Sequence, residues 1–403
     1  MAVNLRAPEA LIPIAGARWA STDAAIKKPG GDDMALLVLD EGATVAGVFT
    51  RNAFAAAPVA LAKHHMACAA PRALLINSGN ANAGTGREGE ADAAACCARV
   101  AEELGLAADQ VLPFSTGVIG EKLPMSRLDN AIPRLTRALD SHGWLAAARA
   151  IMTTDTVPKG ASRRVRLEAG ELTLTGIAKG SGMIRPDMAT MLSFLATDAA
   201  VPAADLDLAL HAAVGASFNS ITVDGDTSTN DAAMLCATGA GAALDRDHPD
   251  WPVFVAALRD LMIELACAIV RDAEGATRFI TLAVSGAADA DEARQVAFTV
   301  AHSPLFKTAA FAGDPNWGRI LAAVGRAPVA DLVIDGVDIA LDEVAVVAGG
   351  QPREDYREAD AARVMSQPEF RVRIGLGRGE ATATVWTSDL SYDYVRINAE
   401  YRS

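Results

Sequence analysis

The sequence predicts an α/β fold with mixed sheets, and three observations carry that prediction. Short apolar runs of strand character alternate with alanine-rich segments that keep helical spacing. The last third of the chain strings together short strand-like runs separated by turn residues, which reads as mixed or antiparallel sheet. Composition is globular: 51% of the 403 residues are hydrophobic and 21% charged, enough apolar area to offset chain entropy. At ~100–200 residues per domain the length implies two or three domains, and two is the working count.

The elements follow in order. Strands are expected at 34–40 (MALLVLD), 43–50 (ATVAGVFT) and 73–79 (ALLINSG), each too short and too apolar for a surface helix. The run 90–104 (EADAAACCARVAEEL) is the first clear helix, and others are expected at 128–152, 204–216 and 251–270. In the tail, 331–336 (DLVIDG), 337–342 (VDIALD), 370–377 (FRVRIGLG) and 380–389 (EATATVWTSD) read as strands. Around 175–198, glycines, a proline and small residues lie between two strand-like runs, so the backbone there must turn tightly. Neither an internal repeat nor a low-complexity linker is visible, which leaves the domain boundary hard to place.

Charge and motif content remove several classes of function. The formal net charge of −14 opposes binding to a phosphate backbone or an anionic bilayer, so neither nucleic acid nor membrane is an expected partner. The N-terminal stretch has no uninterrupted apolar core, and the apolar run near residue 265 is broken by Glu264, so the expected location is cytoplasmic. Five cysteines without CxxC spacing read as reduced thiols, mostly in the core. The six histidines form neither HExxH nor a Cys/His metal pattern, there is no GxSxG elbow, and no metal or organic cofactor is expected. Gly84–Gly89 matches GxGxxG, but SGNANA separates those glycines from the strand that a dinucleotide turn must follow directly, so they read as a structural turn. Asp224, Asp226 and Asp231 lack the glycine and terminal-glutamate offsets of a calcium loop and read as an Asp/Thr-rich turn.

Two short segments carry acyl-transfer chemistry if their context supports it. Ser115-Thr116-Gly117 sets a hydroxyl beside a glycine N–H, two donors able to converge on an oxyanion; taken alone it reads as a polar turn. Thr190 follows the small Ala189, and a threonine serves as nucleophile without histidine when its own α-amine is the base, which requires cutting the bond before it. On composition alone Thr190 is an ordinary strand threonine.

Together these segments resemble the ornithine acetyltransferase (bifunctional glutamate N-acetyltransferase) family of arginine biosynthesis. The resemblance runs through NSGNANAGTG (77–86), STGVIGE (115–121), MTTDTVPK (152–159), AKGSGMIRPDMATML (178–192), SITVDGDTSTND (220–231), VRDAEGATRFI (270–280), GDPNWGRI (313–320) and DYVRINAEYRS (393–403). It implies a layered α/β/β/α sandwich with mixed sheets and a chain that cuts itself between Ala189 and Thr190. The products would be an α chain, 1–189, carrying the oxyanion hole, and a β chain, 190–403, beginning with the nucleophile, assembled as an α₂β₂ heterotetramer. The resemblance implies Thr116 and Gly117 as oxyanion hole, and substrate contacts at Thr153, Lys179, Thr190, Glu274, Asn398 and Ser403. Lys179 suits an α-carboxylate and Glu274 an ammonium group. The implied reaction is ping-pong: N-acetylornithine acylates Thr190, ornithine leaves, and glutamate takes the acetyl group; some relatives also use acetyl-CoA. An unperturbed α-amine, with pKa ≈ 7.7–8, serves as base near neutral pH.

Three positions depart from the family pattern: Asp187 replaces the usual Asn, Ala273 a Gly and Ser403 a Thr. A carboxylate at 187 is expected to slow cleavage by opposing negative charge at the scissile carbonyl. The rival readings are an amidase or aminopeptidase on a related self-cleaving scaffold, with water as acceptor, and a silent binding protein that keeps only the fold.

Overall fold

The computed structural model describes residues 2–27, 31–168, 170–185 and 191–400. Their strands are β1 (Ala17–Thr22), β2 (Met34–Leu39), β3 (Thr44–Phe49), β4 (Ala73–Asn80), β5 (Val111–Val118), β6 (Lys159–Leu167), β7 (Gly170–Lys179), β8 (Leu192–Thr197), β9 (Ile221–Thr222), β10 (Ala232–Ala237), β11 (Phe279–Ala287), β12 (Asp338–Leu341), β13 (Val344–Ala348), β14 (Gln351–Pro352), β15 (Glu369–Gly375) and β16 (Ala381–Ser388). The helices are α1 (Ala57–Cys68), α2 (Gly86–Leu104), α3 (Met125–Arg137), α4 (Trp144–Ala150), α5 (Ala203–Ala216), α6 (Trp251–Arg271), α7 (Ala290–Ala301), α8 (Pro304–Ala312), α9 (Trp317–Gly325), α10 (Glu358–Met365) and α11 (Tyr392–Ala399). The chain divides into a larger unit, Ala7–Asn219 with Asp226–Ile269, and a smaller one, Met1–Arg6, Ser220–Gly225 and Val270–Ser403.

The larger unit is an α/β/β/α sandwich. Its sheets run β1-β2-β4-β5, with β4 and β5 parallel, and β3-β10-β8-β7-β6, with β10 and β8 parallel. The apolar run of β2 is explained by burial of both strand faces. Leu37 and Leu39 join Leu74, Ile76, Leu112 and Phe114 in a core shared with Ile177, Phe194 and Met234 of the second sheet. The alternate residues Leu36, Val38, Leu75 and Val111 pack against Cys97, Val100, Leu128 and Ile132 of α2 and α3. Each such side chain contributes about 1.5–3 kcal/mol on burial. Across the second sheet α5 packs along β3, while α6 sends Leu265 toward Gly176, where an added Cβ would lie 3.0 Å from Leu265 Cδ1.

The helix expected over 128–152 is two helices. Between α3 and α4 the chain crosses Trp19, pairing Asp140 with it, and the Asp140 carboxylate accepts the His142 amide at 3.0 Å. Gly143 fits because a Cβ there would fall 2.6 Å from the Trp19 carbonyl oxygen. Ser115-Thr116-Gly117, read from sequence as a turn, ends strand β5 instead.

The smaller unit is one seven-stranded sheet, β14-β13-β12-β15-β11-β16-β9, with helices on one face. The FRVRIG alternation sends Phe370, Val372 and Ile374 into the core with Ile280, Leu282 and Val284, against Val296, Phe306 and Ile320 of α7, α8 and α9. Of the expected tail strands, DLVIDG is not one: Ile334–Gly336 is a short 3₁₀ turn, and Val333 is 58% exposed, so the segment has no apolar face to bury in a sheet.

Candidate active site

The site in the larger unit begins with two glycines facing each other in register, Gly79 on β4 and Gly117 on β5. Gly117 has φ +135° and Gly79 φ +99°, and a Cβ on Gly117 would sit 2.2 Å from the Gly79 carbonyl carbon. Only glycine permits that approach. The motif side chains hold the junction: Ser115 Oγ donates to Asn77 Oδ1 at 2.6 Å, and Asn77 Nδ2 donates to the Asn80 carbonyl at 2.8 Å. Asn230, from STND, donates to the carbonyls of Ala81 at 2.6 Å and Ser115 at 2.9 Å. Three sequence-distant motifs are thereby brought to the end of β5.

Thr116 is half-buried there, and Lys179, the last residue of β7, reaches it. The Lys179 ammonium donates to Thr116 Oγ1 at 3.1 Å and to Thr153 Oγ1 at 2.9 Å. A hydroxyl that accepts from an ammonium retains its own proton to donate, so both threonines face the site as polarised donors. Lys179 itself is only 6% exposed. Beneath it Asp155 accepts from Lys159 Nζ at 2.6 Å, the Gly180 amide at 2.7 Å and the Thr153 amide at 3.1 Å. Burial by itself would raise the Asp155 pKa, but the ammoniums of Lys159 and Lys179 and the Gly180 amide hold it well below the usual carboxylate range. Asp155 is thus a fixed negative charge in the field of the Lys179 ammonium.

An open cleft of about 610 Å³ adjoins this cluster, lined by Lys27, Arg149, Met152, Thr153, Asp155 and Pro158. Lys27 donates to the carbonyls of Ala150 at 3.0 Å and Met152 at 2.9 Å, and burial lowers its pKa against the pull of Asp33 and Asp155. On the remaining side lies Met191, immediately before β8, whose amide donates to Asp231 Oδ1 at 2.9 Å. Asp231 is 2% exposed, its Oδ2 has no hydrogen-bond partner, and burial pushes its pKa well above the ordinary value.

In the smaller unit two other predicted contacts meet. Asn398 Nδ2, on α11, donates to Glu274 Oε2 at 2.8 Å. The helix is docked by Ser391, which accepts the Tyr394 amide and donates to the Gly275 carbonyl at 2.6 Å; a Cβ on Gly275 would lie 2.5 Å from the Tyr394 nitrogen. Ala189, Thr190, Ser403 and the variant Asp187 lie outside the described residues. Among the described residues no group of three His, Cys, Asp or Glu is placed to hold a metal ion, and no helix is long and apolar enough to cross a membrane.

Sequence reasoning passed over Asp155, Asn230 and the separate role of Asp231. Asp155 and Lys159 had a signal: they are the charged pair of an otherwise uncharged MTTDTVPK. Asn230 and Asp231 had none beyond their place in STND, since burial of a polar side chain is not visible in a turn-like string.

Known proteins of high similarity show the family of the chain. The chain is 56% identical over 395 residues to the arginine biosynthesis bifunctional protein ArgJ of Methylococcus capsulatus, covering 98% of this chain and 97% of that one. It is 50% identical over 406 residues to the same-named protein of Pseudomonas fluorescens, covering the full length of both. A crystal structure of the arginine biosynthesis bifunctional protein argJ from Bacillus halodurans shares 39% identity, covering 51% of this chain and 96% of that one, with a TM-score of 0.49. A model of the ArgJ family matches residues 18–403, and the chain belongs to that family.

Proposed function

We propose that the cluster around Lys179 is the oxyanion and substrate site of an acetyl exchange that passes through an acetyl ester on Thr190. The protein is an acyltransferase of arginine biosynthesis and moves acetyl from N-acetylornithine to glutamate. The observation that carries the reading of the site is the double donation from Lys179 to Thr116 and Thr153. It leaves the Thr116 proton free to meet a developing oxyanion together with the Gly117 N–H, and the adjacent ammonium adds to the field. Each such donor is worth about 3–4 kcal/mol in the transition state.

The chain first cuts itself. The Thr190 hydroxyl attacks the Ala189 carbonyl, the acyl group shifts from nitrogen to oxygen, and water hydrolyses the ester, leaving a carboxylate on Ala189 and a free α-amine on Thr190. That amine then takes the hydroxyl proton as Thr190 attacks N-acetylornithine; ornithine departs with the proton, and glutamate removes the acetyl group in the reverse sense. Thr153 and Lys179 receive substrate carboxylate, and Glu274, steadied by Asn398, receives an ammonium; Ser403 completes the contacts. Acetyl-CoA as second donor, an α₂β₂ assembly and a cytoplasmic location complete the proposal.

Intact mass tests it. The purified enzyme is expected as two fragments of roughly 20 and 22 kDa, the 41.8 kDa chain divided by residue share, with the second beginning at Thr190. Thr190→Ala should stay whole. Incubation with N-acetylornithine alone should add one acetyl group to the larger fragment; rapid release of acetate to water would instead favour an amidase, and a fragment starting elsewhere would refute the nucleophile.

A further inference from the structure

The turn that leaves α4 and delivers Thr153 to the site is held by a lysine that the reaction above does not use. Lys27 Nζ donates to the carbonyl of Ala150, the last residue of α4, at 3.0 Å and to that of Met152 at 2.9 Å. A helix leaves its final carbonyls without partners of its own, and a lysine side chain can supply them from outside. The Ala150 carbonyl has a second donor in Ser78 Oγ at 2.5 Å. The Met152 carbonyl takes its hydrogen bond from Lys27. The ammonium therefore bears most directly on the peptide link that joins Met152 to Thr153.

Lys27 is itself fixed along its length. Its amide donates to Asp33 Oδ2 at 3.0 Å, beside the Ile26 amide at 2.5 Å, while Oδ1 of the same buried carboxyl accepts the Ala24 amide at 2.7 Å. The stem lies along Gly79, where an added Cβ would fall 2.8 Å from Lys27 Cγ. Beyond the peptide link, the Thr153 amide donates to Asp155 at 3.1 Å and the Thr153 hydroxyl accepts from Lys179 at 2.9 Å. Three charged side chains thus set one threonine, at the preceding carbonyl, the amide and the hydroxyl. Burial works against the Lys27 ammonium and lowers its pKa, with Asp33 and Asp155 pulling the other way, so the chain keeps a partly desolvated cation at this turn.

We propose that Lys27 is a positioning residue for Thr153: by holding the Met152 carbonyl it sets the rotation of the peptide link into Thr153, and with it the direction in which that hydroxyl is presented to substrate. This rests on the reading of Thr153 as a substrate contact. The direction matters because a hydroxyl that accepts from Lys179 has a single proton to donate and must aim it.

Lys27→Met keeps the apolar stem over Gly79 and removes the ammonium. KM and kcat for N-acetylornithine at saturating glutamate are measured for the wild type, Lys27→Met, Thr153→Val and the double variant. The lysine variant is expected to raise KM about two- to tenfold, the loss of one hydrogen bond, with kcat nearly unchanged. In the Thr153→Val background the same change should move KM by less than about twofold, because the hydroxyl it places is gone. Lys27→Arg, whose guanidinium can reach both carbonyls, should restore KM. Additive effects of the two variants overturn the proposal. So does a lower melting temperature with unaltered kinetics, or a fall in kcat at constant KM, which would place the effect of Lys27 on the Gly79–Gly117 pair instead. If Lys27→Met is insoluble, Lys27→Gln replaces it: a raised KM that vanishes in the Thr153→Val background supports the role, and a wild-type KM removes it. Thr153→Val separates the two readings. A wild-type KM there refutes Thr153 as a contact and Lys27 with it, whereas a raised KM beside an indifferent Lys27→Met refutes Lys27 alone.

Discussion

The charge pair beneath Lys179 allows the sharpest energetic test. Asp155 and Lys159 are joined at 2.6 Å with both side chains fully buried, and Asp155 also accepts the amides of Gly180 and Thr153. Removing one partner of such a pair strands the other's charge in the interior and costs about 3–5 kcal/mol, a hundredfold to several-thousandfold in the folding equilibrium. Asp155→Asn and Lys159→Met should each lose that much in urea unfolding followed by tryptophan fluorescence, to which the buried Trp19 and Trp144, 5.4 Å apart, contribute. Independent sites would give a double variant, Asp155→Leu with Lys159→Met, a loss of about 6–10 kcal/mol. The double variant is expected well short of that sum, because neither member of the pair is left charged without the other, and what remains is two unsatisfied amides at about 1–3 kcal/mol each and the lost counter-charge to Lys179. The sign with pH is fixed too. Asp155 is held below its ordinary pKa of about 3.9, so its contribution is present above that value and is lost as pH falls through the folded one. The gap between wild type and Asp155→Asn should therefore stay constant from pH 7 to about 5 and close only below about 4. Single-variant losses under about 1 kcal/mol, or simple additivity, would refute the buried pair as the frame of the site.

Gly117→Ala would place a Cβ 2.2 Å from backbone at Gly79, so it is expected to abolish soluble, cleaved enzyme on gels of the soluble fraction; a wild-type melting temperature would show that the strands do not approach so closely. Lys307, buried on α8 and donating to Thr387 Oγ1 at 2.9 Å, has its pKa pushed down to about 8 by burial, with Asp389 and Asp224 opposing. The folded state then sheds this proton before the unfolded one, whose lysine titrates near 10.4, so stability from this group rises between about pH 8 and 10.4; a Lys307→Met variant should lose that rise in urea midpoints measured across the range. Asn398→Ala removes the 2.8 Å bond to Glu274 and should raise a substrate KM about two- to tenfold, the equivalent of ~0.5–1.5 kcal/mol, without affecting self-cleavage; steady-state kinetics identical to wild type would remove the residue from the site.

Much of the larger unit was legible because its strands obey period two or are buried on both faces. MALLVLD is such a case: alternate leucines feed two different cores, so the continuous apolar run is the pattern itself. The break in the 128–152 helix was not legible, since it depends on Asp140 pairing with Trp19 from more than a hundred residues away. DLVIDG misled for the opposite reason, having strand composition without a sheet edge to join. The two units interleave along the chain, with Ser220–Gly225 and Met1–Arg6 assigned to the smaller one, so no single linker marks a boundary. In the site, the resemblance named Thr116, Thr153 and Lys179 one by one, while the bond network shows that one ammonium serves both hydroxyls.

The absence of a histidine base also has a physical account. His65 is engaged with the Val111 carbonyl, His302 with Thr222, His248 with Asp250 and His211 with Asp207, each within its own structural element or its neighbour. The charged groups around Thr116 are equally engaged: Lys179 donates to two hydroxyls, and Asp155 has three donors and a depressed pKa. On the proposed reading the base is instead the α-amine that cleavage would free on Thr190.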